Sequence, residues 1–125
     1  MSVVHHFIKK TNAYTWENVD STPLVVEGIK GAVKNILIGD NEGAPHFIMR
    51  YFELESGGHS RLERHPHEHE VIVLRGKGVV QIGQEKHVVA PFDTIFVEGN
   101  ELHQFTNPHD EPFGFICIIP RLDPN

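Results

Sequence analysis

Gly57-Gly58-His59-Ser60-Arg61-Leu62-Glu63-Arg64-His65-Pro66-His67-Glu68-His69-Glu70 is the stretch that decides how this chain folds, and His103 must be read with it. Imidazole is the commonest protein ligand for first-row transition metals. Alternate residues of an extended segment project to one side, so Glu63 and His65 can point at one spot, about 6–7 Å apart at Cα. A turn at Pro66-His67-Glu68 can return His69 to that spot. The pattern reads as a metal site on a β scaffold.

Working outward, short apolar and β-branched runs alternate with turn signals. Ala32 to Ile38 stops at Gly39-Asp40-Asn41, and His46 to Glu55 stops at Ser56-Gly57-Gly58. Glu70 to Arg75 stops at Gly76-Lys77-Gly78. Val79 to Ile82 and Lys86 to Val89 flank Gly83-Gln84-Glu85, a hairpin signal. Thr94 to Glu98, His103 to Asn107 and Phe113 to Ile119 complete the series. Turn signals about every 8 to 12 residues, with prolines between the runs, predict an all-β sandwich or barrel. No amphipathic helical stretch of useful length is present. Thr15-Trp16-Glu17-Asn18-Val19 reads as a short turn or an edge strand. The division expected is one domain over 1–125, with an N-terminal arm over 1–25 and the barrel over 26–120.

The 125 residues suit a single domain, with 39% hydrophobic and 22% charged residues. A formal charge of −6 and the lack of a basic run argue against nucleic acid. No apolar run approaches the ~20 residues of a membrane span, and the N-terminus lacks the pattern of a signal peptide. Cys117 is the single cysteine, which excludes an intrachain disulfide and suits a cytoplasmic protein. It lies in an apolar strand-like run with no basic neighbour in sequence, so a buried structural thiol is expected rather than a nucleophile.

The spacing of the opening stretch is specific. Gly57 is followed by five residues, Glu63, one residue, His65, three residues, His69, six residues and Gly76. This resembles the first motif of the cupin superfamily, Gly, five residues, His-x-His, three or four residues, Glu, six residues, Gly. Here Glu63 stands where a His is usual and His69 where the Glu is usual. Pro91-Phe92-Asp93, then Glu98 to His103 and Asn107, resembles the second motif, Pro-x-Gly-x-x-His-x-x-x-Asn. Gly99 lies four residues before His103 rather than three, so the turn differs. Small single-domain bacterial cupins look most similar. The resemblance implies a double-stranded β-helix, a jelly-roll barrel, often homodimeric. The N-terminal strand and the Phe47, Met49 and Tyr51 face are the expected interface.

The ligands implied are Glu63, His65, His69 and His103, holding one divalent Fe, Mn, Ni or Zn ion; Co also suits three His and a carboxylate, whereas Ca and Mg prefer oxygen shells. Glu63 can instead pair with Arg61 or Arg64, leaving three His. The motif register puts His67 in the turn, behind the ligands or facing solvent. Arg50 falls on the inward side of its run; the first reading is a rim Arg paired with a surface acid, and the second an inward Arg that holds a substrate carboxylate. Phe105 shares His103's face and lines the cavity. His67, Arg50 and Phe105 are thus the candidate substrate-pocket residues. His5, His6, His46, His59, His87 and His109 have no spacing partners.

Two functions from different classes follow. One is a metal-dependent enzyme acting on a small organic molecule, either an oxidoreductase using dioxygen or an isomerase or lyase. The other is a binding or sensing module with the same pocket and no turnover.

Overall fold

The computed structural model describes residues 2–122. Eleven strands follow in order: β1 Phe7–Lys10, β2 Ala13–Trp16, β3 Ser21–Pro23, β4 Lys30–Ile38, β5 Phe47–His59, β6 His69–Arg75, β7 Gly78–Ile82, β8 Glu85–Val89, β9 Thr94–Val97, β10 His103–Thr106 and β11 Phe113–Pro120. Among the described residues a single 3-10 turn, Asp40–Glu42, interrupts them. All pairings are antiparallel, as hairpin and meander connections require. β1 and β2 form a separate ribbon. The other nine strands make one curled sheet, ordered β8-β7-β10-β5-β11-β6-β9, with β4 also on β5 and β3 on β4. This is a jelly-roll barrel.

Period-two alternation sets what lies inside. Val71 and Val73 of β6, and Phe113, Phe115, Cys117 and Ile119 of β11, are buried, while Glu70 is exposed. Leu54, Val80, Val97 and Phe105 close the core around them. Phe105 stacks on Phe115 with ring centroids 4.4 Å apart.

β5 runs further than the glycines suggest. Gly57, at φ +80°, bends the strand rather than ending it. Beyond the bend the chain leaves β11, keeps a contact with β4 at Lys30 opposite His59, and follows β10. Gly57 N donates to Asn107 O (2.8 Å), Ser60 N to Phe105 O (2.9 Å) and Glu63 N to His103 O (3.1 Å). This is how a local glycine pair carries the histidine segment to a strand 40 residues away.

The N-terminal segment carries regular strands, where the sequence offers a short turn or an edge strand at Thr15 to Val19. β1 and β2 form a hairpin whose aromatic residues cover the outer face of β5. Tyr14 stacks on Tyr51 at 6.1 Å and Trp16 lies 5.0 Å from the same ring. The Tyr51 hydroxyl donates to Glu53 (2.7 Å), Arg75 pairs with Glu53 (2.9 Å), and Arg75 also caps the Tyr14 ring. Tyr51 is 1% exposed, so that part of the face expected at an interface is closed by the chain itself. β3 then joins the main sheet from Ser21. The hairpin strands are short, and their packing partner is far away in sequence, so periodicity gave little sign of them.

Candidate metal centre

Three histidines meet at one end of the barrel. His65 comes from the segment ahead of β6, His69 opens β6 and His103 opens β10. Their candidate ligand atoms all lie within 4.8 Å of one another. The Nε2 atoms of His65 and His69 are 3.0 Å apart. Two nitrogens about 2.1 Å from one ion and at right angles across it stand about 3.0 Å apart. The donor set therefore fits one transition-metal ion.

The far side of each ring is fixed. His65 Nδ1 donates to the His67 carbonyl (2.8 Å) and His103 Nδ1 to the Glu101 carbonyl (2.9 Å). A carbonyl only accepts, so in the neutral rings the proton sits on Nδ1 and Nε2 carries the lone pair. His69 Nδ1 lies 3.0 Å from Cys117 Sγ. Burial, then the neighbouring His103 and Arg50, pushes the His69 pKa down to about 3, which keeps this ring neutral near pH 7. Such anchors orient imidazoles toward a metal.

The turn from the second motif supports this arrangement. Asn100 occupies the position three before His103 and adopts φ +67°, a left-handed conformation that Asn tolerates. Its N–H donates to the His65 carbonyl (2.7 Å). A Cβ on Gly99 would stand 2.3 Å from the Pro66 carbonyl oxygen, so Gly99 is needed for close approach. Asn107 is 1% exposed. It donates to the Leu54 and Glu111 carbonyls and accepts from His109 N–H, which ties the loop after β10 to β5.

Glu63 stands outside the group of three. Its backbone bridges His103 directly, which places the two side chains on one face, but its half-exposed carboxylate faces Arg61 at 4.0 Å. His67 also stays out. It stacks flat on His65 with centroids 3.7 Å apart and planes 5° apart, and it does not line the cavity. Its pKa is lowered, chiefly by burial and then by the His65 ring.

A cavity of about 330 Å³ opens beside the histidines. His69 and His103 form one wall, and Phe52, Leu54, Phe105 and Phe115 give it an apolar lining. Arg50 projects into it rather than to an acid at the rim. Its Nη2 donates to Cys117 Sγ (3.1 Å) and its guanidinium carbon lies 4.8 Å from the Phe52 ring centroid. Cys117 is buried as expected, and burial raises its pKa. Its contact with a site histidine was not foreseen, nor was the presence of Lys34 and Ser60 in the lining. The available signal was alternation: Cys117 is two residues from Phe115 and shares its inward face.

The family described as Cupin domain matches residues 50–119. The chain is 38% identical over 109 residues to a protein of Rhodospirillum rubrum named 1-methylthio-D-xylulose 5-phosphate methylsulfurylase, covering 85% of this chain and 69% of that one. A cupin-2 domain from Rhodospirillum rubrum superposes with a TM-score of 0.82 at 34% identity, over 94% of this chain and 80% of the other. A sugar phosphate isomerase of the cupin superfamily from Silicibacter pomeroyi gives a TM-score of 0.75 at 25% identity, over 85% and 73%.

Proposed function

This chain belongs to the cupin family, and from that premise we propose that it is a metal-dependent enzyme acting on a small phosphorylated organic molecule. The observation that carries this reading is the 3.0 Å approach of His65 and His69 Nε2. His103 completes the triad, with the outer nitrogens of His65 and His103 held by carbonyls. In this reading Glu63 is a fourth ligand, reaching the ion by turning away from Arg61. The relatives named for sugar phosphates support the substrate class, and chemistry of the isomerase or lyase kind is favoured over dioxygen chemistry.

A bound divalent ion supplies Lewis acidity toward substrate oxygens. The protein's own contribution is placement. His69 stays neutral because it is buried, so its lone pair is available without prior loss of a proton. Phe52, Phe105 and Phe115 give the cavity apolar walls, and a low-dielectric lining strengthens the polar contacts made there. Cys117 contacts the outer nitrogen of His69, and Arg50 in turn donates to Cys117. The reading carries two further proposals, a homodimer and a cytoplasmic location; the second accords with a lone, free, buried thiol.

Elemental analysis of untagged protein, purified without added metal, is the test. Near-stoichiometric transition metal is expected in the wild type. Loss of that metal in His65→Ala and His103→Ala, with the β-sheet circular dichroism kept, is also expected. Unchanged metal content in both variants overturns the site. Turnover is then screened with phosphorylated ketoses, and dioxygen uptake with the Fe(II) form discriminates the oxygenase alternative.

A further inference from the structure

The cavity beside the triad is cationic in a chain that is anionic overall. The formal charge of the chain is −6, yet the cavity walls carry Lys34, Arg50 and Arg61 against one carboxylate, Glu63. Arg61 is already engaged. It faces Glu63 at 4.0 Å and donates through Nε and Nη2 to the Glu27 carbonyl. Lys34 and Arg50 are the two remaining charges, and among the described residues neither is in an ion pair.

Arg50 is the less satisfied. Its Nη2 has only a thiol as partner, 3.1 Å away, and its Nε is buried with no partner. A guanidinium half-buried beside aromatic rings without a counter-charge is unfavourable unless an anion joins it. Lys34 is placed to share that anion. β4 and β5 pair with Lys34 opposite Phe52 and Ile36 opposite Arg50. Lys34 and Arg50 are therefore diagonal neighbours on one face of adjacent strands, within reach for long side chains. Apolar walls focus the field of such charges into the cavity.

Resting on the function proposed above and deepening it, we propose that Lys34 and Arg50 form an oxyanion subsite that holds a phosphate or carboxylate group of the substrate. Arg50 supplies a planar fork for two oxygens, and Lys34 a compact charge. The Cys117 thiol links Arg50 to His69, so an anion on Arg50 lies one side chain away from the triad.

Isothermal titration calorimetry at low salt tests this with inorganic phosphate and with acetate, on metal-free and metal-loaded protein. Phosphate is expected to bind the metal-free wild type, and about tenfold or more weakly to Lys34→Met and Arg50→Met. Lys77→Met, exposed on the turn before β7, is expected to match wild type. Phosphate binding tighter than acetate assigns a phosphate ester, and the reverse order assigns a carboxylate. Absence of binding, binding only with metal present, or binding untouched by both substitutions overturns the subsite. Lys34→Met keeps the test decisive if Arg50→Met fails to fold, because Lys34 makes no ion pair that the fold relies on. Metal content measured on the same samples reports separately on the histidines, so failure of the subsite and failure of the metal site are told apart.

Discussion

The backbone N–H of Asn100 donates to the carbonyl of His65 at 2.7 Å, so the turn before β10 clamps the loop that carries the first histidine. The two residues lie 35 positions apart in sequence, and their motifs are joined by this bond and by the close approach of Gly99 to Pro66.

Asn100 holds a left-handed backbone, so Asn100→Ala is expected to destabilise the fold by about 1–2 kcal/mol and to weaken metal binding with it. Asn100→Gly is expected to restore both. Urea denaturation and metal titration of the pair check this. Equal loss in both variants would show that the Asn side chain matters rather than the conformation.

The metal-free protein is expected to lose stability as pH falls below about 6.5, the unperturbed histidine value. The folded His69 pKa is lowered to about 3 by burial and by neighbouring positive groups, His103 first. The unfolded chain therefore binds the proton first, and acidification favours unfolding across that window. The slope from one such group is at most about 1.4 kcal/mol per pH unit. His67, shifted in the same direction by burial, adds to it. Urea midpoints between pH 7.5 and 5 check the sign, and a flat profile would contradict it.

Glu63→Gln tests the fourth ligand. If the carboxylate turns from Arg61 to the ion, metal affinity is expected to drop about tenfold or more with no change in melting of the metal-free protein. Competition with a chromogenic chelator measures it. Unchanged affinity would leave a three-histidine site.

Asn107→Ala removes a side chain that is 1% exposed and satisfies the Leu54 and Glu111 carbonyls and the His109 N–H. Leaving such groups unpaired is expected to cost about 2 kcal/mol or more. Chemical denaturation reads the loss. A change under about 0.5 kcal/mol would mean that water replaces the amide.

Alternation of apolar residues, punctuated by Gly and Pro, determined the strands from β4 to β11, because which side of a strand faces the core is written at period two. The motif resemblance marked His65, His69 and His103, and alternation set Arg50 and Phe105 on inward faces. Three features were decided only by tertiary structure. The hairpin of β1 and β2 is held by aromatic packing on Tyr51, a contact that no local pattern encodes. His67 has a ligand's residue type, yet the carbonyl that fixes His65 is its own, and its ring stacks behind instead. Glu63 lies opposite His103 but its side-chain torsions take the carboxylate to Arg61. Period and spacing specify which residues share a face; the convergence of side chains from distant strands depends on sheet curl, register and torsion angles, which exist only once the barrel has closed.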